Sequence, residues 1–135
     1  MKKRIILVWF AVGLWMGIIY YLSNQPNLST GLGVWDLVGR KTAHMVEFAV
    51  LVFLVYNALI NSFSEAVAKK SLKPFLFIAA IFSFLYAAGD EYHQTFIFGR
   101  VGTPNDVAVD SAGIIIMFFL IYYNKINPYP RRFLG

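Results

Sequence analysis

The chain has 135 residues, of which 59% are hydrophobic, 18% aromatic and only 14% charged, with a mean hydropathy of +0.61. A soluble domain averages roughly 45–50% apolar and about 25% charged residues, so this composition argues against a soluble core and for a bilayer. The net charge of +5 sits in short clusters between long apolar runs rather than in a continuous patch, which argues against nucleic acid, and the absence of cysteine excludes disulfides and thiolate metal sites.

A bilayer core needs about 20 mostly apolar residues per helix. Four segments meet this need, at about residues 5–22, 43–60, 74–91 and 105–123. The first is uncharged. The second is apolar apart from His44, Glu47 and Asn57, the third is uncharged from Pro74 to Gly89, and the fourth carries Asp110 and Ser111 among its apolar residues. The connecting segments, Ser23 to Thr42, Asn61 to Lys73 and Asp90 to Asp106, contain Pro, Gly, Asn and Ser and read as turns, with Trp35 on an interfacial piece of the first connection. Gly13-x-x-x-Gly17 in the first span is a motif that lets two helix backbones approach closely. The predicted fold is all-α: one domain over 1–135, a polytopic bundle of four transmembrane helices.

Lysine and arginine in short loops favour the cytoplasm. With the N-terminus inside, Lys2, Lys3, Arg4, Lys69, Lys70, Lys73, Lys125, Arg131 and Arg132 share the inner face, nine of the twelve basic residues, and only Arg40, Lys41 and Arg100 lie outside. Both termini are therefore expected in the cytoplasm. A cleaved signal peptide fits less well, because the first apolar run is long and leads into Ser23-Asn24-Gln25-Pro26 without a small-residue cleavage site.

Asp36, Glu47, Asp90, Glu91, Asp106 and Asp110 gather at the outer side, and only Glu65 at the inner. A charge deep in hydrocarbon costs from about 2.5 to well over 10 kcal/mol, so such residues face a bundle interior or a wet cavity. Topology brings the end of the first span (Ser23, Gln25), the start of the second (Lys41, His44, Glu47), the end of the third (Asp90, Glu91, Gln94) and the start of the fourth (Asp106, Asp110) to one depth. Lys41, His44 and Glu47 share a broad helix face, and Asp90 with Gln94 and Asp106 with Asp110 are i,i+4 pairs. Glu47 and Asp110 need a partner such as Lys41, His44 or Arg100. His93 and Asn57 read as structural.

These residues carry a resemblance. Ser23-x-Gln25, Lys41-x-x-His44-x-x-Glu47, Asp90-Glu91-x-x-Gln94, Gly99-Arg100 and Asp106-x-x-x-Asp110-x-x-Gly113, in this order, resemble the VanZ-like family of bacterial membrane proteins. Departures are Phe48 where the family often has tyrosine, Phe98 where proline often precedes Gly-Arg, and Asp110 in place of asparagine. The resemblance implies a multi-pass protein of the bacterial cytoplasmic membrane, and, through the family's namesake, a link to resistance to the glycopeptide teicoplanin.

Three functions compete. In the first, an external pocket binds the polar head group of a lipid, a cell-wall precursor or a glycopeptide antibiotic. Lys41 and Arg100 would hold phosphate or carboxylate, Ser23, Gln25, His44 and Gln94 would give neutral hydrogen bonds, and Glu47, Asp90, Glu91, Asp106 and Asp110 would orient the cations. In the second, a metal-assisted membrane enzyme acts on lipid-linked phosphate. Its catalytic candidates are His44, Glu47, Asp90 and Asp106, with Glu47 orienting His44. Its metal candidates are Glu47, Asp90, Glu91, Asp106 and Asp110, with Mg2+ the suggested cation. Gly102-x-x-x-Asp106-x-x-x-Asp110 resembles the tail of the CDP-alcohol phosphotransferase motif, but the Asp-Gly-x-x-Ala-Arg opening is missing. The third, a transporter or channel, lacks a complete polar path across the spans. A homo-oligomer is compatible with the sequence.

Overall fold

The computed structural model describes residues 2–26, 33–100 and 102–123. Lys125, Arg131 and Arg132, part of the basic charge expected in the cytoplasm, lie outside the described residues. The order is α1 (Lys2–Ser23), α2 (Val34–Ser62), α3 (Glu65–Lys70), α4 (Leu72–Gln94) and α5 (Pro104–Tyr122). Helices α1, α2, α4 and α5 are long and apolar enough to cross a membrane, with window hydropathies of 2.2, 1.9, 1.7 and 1.6. A helix pairs all its backbone groups internally, as hydrocarbon requires.

The second span differs from expectation. It begins at Val34 rather than near residue 43, so Trp35 lies in the first turn of α2 and not on a separate segment. No proline interrupts residues 34–42. Gly33, at φ 60, turns the chain into the helix in a conformation that other residues adopt at a cost, and Asp36 in the first turn meets the positive end of the helix dipole. At 29 residues and about 1.5 Å per residue, α2 is some 43 Å long and outruns a hydrocarbon core of about 30 Å. The connection after it is not all turn either: Glu65–Lys70 forms the short α3, with Glu65 and Lys69 paired at 2.8 Å one turn apart. Helix α4 runs on to Gln94, three residues past the expected end of its span.

Helix α5 starts where its sequence dictates. Thr103 caps it, its hydroxyl accepting from the Asp106 amide at 3.2 Å and donating to Asp106 Oδ2 at 2.7 Å, and Pro104 takes the first position, where no amide hydrogen is needed.

Helix α2 is the central post, packed by α1, α4 and α5, while α5 also packs on α4. Phe48, Leu51, Val52, Val55, Tyr56, Ala58 and Ile60 of α2 meet Leu76, Ala79 and Ala87 of α4, Ile114 and Ile121 of α5, and Val12 and Ile19 of α1 in one core. Lipid tails are as apolar as these side chains, so association rests on close packing and interhelical hydrogen bonds. Such bonds tie α1 to the rest: Trp9 Nε1 donates to Ser62 Oγ (2.9 Å), Trp15 Nε1 to the Glu47 carbonyl (2.9 Å), and Tyr86 Oη to the Met16 carbonyl (2.8 Å). The close backbone approach falls on α5 and not on α1. A Cβ at Gly113 would collide with the Met45 carbonyl, whereas Gly13 and Gly17 face out of the bundle with no described atom nearby.

Candidate functional site

One end of the bundle joins the last turns of α1 and α4 to the first turns of α2 and α5. A hydrogen-bond chain crosses it. Ser23 Oγ donates to Asp90 Oδ2 at 2.6 Å, Gln94 Nε2 donates to Asp90 Oδ2 at 2.9 Å and to Glu91 Oε1 at 3.1 Å, and Arg100 Nη1 donates to Gln94 Oε1 at 3.1 Å. Ser23, Asp90, Glu91 and Gln94 are all buried. Arg100 also ties the loop before α5 to the end of α1, through Nη2 to the Leu22 carbonyl (2.8 Å) and Nε to the Gln25 carbonyl (3.0 Å). Gln25 therefore contributes its backbone. Its side-chain amide donates to the Tyr21 carbonyl at 3.1 Å.

On the far side of this chain, α2 meets α5. Lys41 Nζ lies 2.9 Å from Asp106 Oδ1 in a half-exposed pair. One turn deeper, His44 Nδ1 stands 3.6 Å from Asp110 Oδ1 and 3.9 Å from Glu91 Oε1, both beyond hydrogen-bond length. Asp110 is 1% exposed. The contact of Gly113 with Met45 O, one turn further along α5, is what lets Asp110 come this near to α2. Glu47, expected to orient His44, is buried, and the ion-pair contacts of the imidazole go to Glu91 of α4 and Asp110 of α5.

These groups line a cavity of about 400 Å³. Its floor is His44, Glu91 and Asp110, its walls Gln94, Thr103 and Asp106, and its rim Arg40, Lys41 and Arg100. Asp90 and Glu47 are buried but do not line it. Burial, and next the nearby Arg40, holds the Arg100 guanidinium below its ordinary pKa, against the pull of Asp90, Glu91 and Glu47. An arginine starts so high that it stays charged.

Two polar lining residues, Arg40 and Thr103, and one loop contact were not assigned to the site by the sequence reading. The sequence puts Arg40 on the outer face without assigning it to the site, although its place beside Lys41 held the clue. Thr103 was legible as the cap in Thr103-Pro104-x-Asp106. Gly102, whose Cβ would strike the Glu91 carbonyl, brings the loop down onto α4, and nothing in the sequence signals that contact. His93 stacks on Tyr20 (centroids 4.9 Å apart) and Asn57 accepts from Asn61 at 2.9 Å, contacts that fit a structural part.

Fold and site together define a multi-pass helical membrane protein with a polar cavity sunk between its helix ends. The profile of the VanZ/LLP1 family matches residues 8–125, and the chain belongs to that family. No curated protein and no solved structure matches it.

Proposed function

We propose that the chain binds the anionic head group of a membrane-anchored molecule in this cavity, at the outer face of the bacterial cytoplasmic membrane. The observation that carries the reading is the rim, where Arg40 and Lys41 of α2 face one opening and Arg100, held by the Leu22, Gln25 and Gln94 oxygens, adds its charge. Guanidinium offers a two-pronged fork to phosphate or carboxylate and ammonium a point charge. About 400 Å³ lies within the usual range of small-molecule sites, roughly 300–1,000 Å³. Exposed apolar side chains border the same end, among them Leu37, Val38, Phe96 and Phe98. They would sit among acyl chains and admit a ligand that keeps its tail in the bilayer.

The orientation rests on charge. Lys3 and Arg4 open α1, and Lys69, Lys70 and Lys73 flank the junction of α3 and α4, at the end opposite the cavity. That bias favours cytoplasmic termini and an external cavity. Family membership supports lipid-linked cell-wall precursors or glycopeptide antibiotics as the molecules bearing the head group, with protection against teicoplanin as the outcome. The test is binding of short-chain phosphatidic acid, against phosphatidylcholine of the same chains, to the purified protein in nanodiscs. Selective binding that weakens in Arg40→Ala and Lys41→Ala supports the reading; equal binding of both lipids overturns it.

A metal-assisted enzyme acting on lipid-linked phosphate is the second reading. One observation favours it: single donor atoms of His44, Glu91 and Asp110 lie within 4.8 Å of one another on the cavity floor. Metal-dependent phosphate release from a panel of lipid phosphates, lost in His44→Ala, would establish it over simple binding.

A further inference from the structure

We infer that His44, Glu91 and Asp110 form a binding site for one divalent first-row transition metal ion, of the Zn2+ or Mn2+ class rather than Mg2+. The inference goes beyond head-group recognition and stands on the floor of the cavity, not on its rim.

The first support is convergence. The three residues come from α2, α4 and α5, and their donor atoms all fall within 4.8 Å of one another. Around an ion with bonds of about 2.0–2.2 Å, donors stand roughly 3–3.5 Å apart. Modest side-chain rotation closes the difference from the 3.6 Å and 3.9 Å separations of His44 Nδ1 from its two neighbours.

The second support is unused bonding capacity. His44 Nδ1, Glu91 Oε2 and Asp110 Oδ2 are buried without a hydrogen-bond partner. Glu91 is 5% and Asp110 1% exposed, and both line the cavity. Buried polar atoms are nearly always satisfied, so three unsatisfied atoms on residues that line one cavity point to a ligand there.

The third support is charge. Glu47, Asp90, Glu91 and Asp110 are all buried within this end of the bundle. The cations facing them are Arg100, which reaches them through Gln94, and His44, while Lys41 is engaged by Asp106. Unbalanced carboxylates at this depth are costly, and a divalent ion offsets two of them.

Donor chemistry selects the ion. Imidazole with two carboxylates suits zinc or manganese, whereas magnesium prefers oxygen and water. Three protein ligands leave at least one coordination position open toward the cavity, as in sites that bind an exchangeable ligand. Gln94, donating to Glu91 Oε1 at 3.1 Å, orients one ligand from behind.

The test uses the full chain in detergent, stripped with chelator and titrated with Zn2+, Mn2+ and Mg2+ alone, without lipid. The expected result is one Zn2+ or Mn2+ per chain, with Mg2+ far weaker. Asp110→Asn and His44→Ala should lose at least about 10-fold in affinity, and Glu65→Gln, on α3 away from the cavity, none. X-ray absorption of the zinc-loaded protein should show one imidazole nitrogen among oxygen donors, a readout that needs no variant to fold. Absence of saturable binding, a spectrum without imidazole, or unchanged affinity in folded His44→Ala and Asp110→Asn proteins overturns the site. None of these results depends on the phosphatidic acid measurement, so either reading can fail alone.

Discussion

Gly113 of α5 lies against the main-chain carbonyl of Met45 on α2, so close that no Cβ fits between them. This contact sets the distance between the two helices that carry His44 and Asp110. Gly113→Ala should therefore push α5 away, at a cost of about 1–3 kcal/mol typical of overpacked contacts. Thermal unfolding in detergent measures the loss. Gly13→Ala, where nothing lies near, should not lower the transition, since alanine favours a helix interior over glycine.

Ser23 and Asp90 share the shortest bond of the buried chain, 2.6 Å. Ser23→Ala removes the donor and leaves the carboxylate with Gln94 alone. A loss of about 1–3 kcal/mol is expected, since the abandoned group is buried. Ser23→Thr, which keeps the hydroxyl, should recover part of it in the same unfolding measurement.

Arg100 satisfies three acceptors at once, the Leu22 and Gln25 carbonyls and Gln94 Oε1. Lysine cannot span them. Arg100→Lys should destabilise the protein by roughly 2–3 kcal/mol, because the fork geometry and not the charge is lost. Hydrogen exchange would reveal it as faster opening at the ends of α1 and α4, before the rest of the bundle.

Lys41 and Asp106 form a 2.9 Å pair with side chains 38% and 25% exposed. Such a pair contributes about 0–1 kcal/mol. In a double-mutant cycle with Lys41→Met and Asp106→Asn, the coupling in stability should be no larger. Anion binding should respond in opposite senses: weaker in Lys41→Met, stronger in Asp106→Asn, where the ammonium is released. Raising the salt concentration should diminish the difference.

Four membrane-crossing helices were legible in the sequence because an apolar run of bilayer length has few other readings. The extra turns of α2 were not, for a practical reason: outside hydrocarbon a helix such as Val34 to Thr42 can be polar, and hydropathy then carries no trace of it. Helix α3 was missed because six residues are too few to show a period. Ionisable residues embedded in apolar runs gave away the floor of the cavity, since lipid tolerates them only when they face inward. Their pairing was a different matter. His44 and Glu47 are neighbours by helical spacing, yet the imidazole contacts Asp110 and Glu91, because rotation of α2 against α4 and α5 decides which side chains meet. Gln25 shows the same limit: Arg100 bonds its backbone carbonyl, a contact that no side-chain pattern signals.

Helix α2 runs unbroken from Val34 to Ser62, with Lys41 and His44 near one end and the Trp9 contact at the other. It behaves as a single strut. If a thinner or thicker bilayer changes its inclination, the strut carries the rim cations, the imidazole and the anchoring of α1 along with it, so the geometry of the cavity is coupled to the lipid environment at both leaflets.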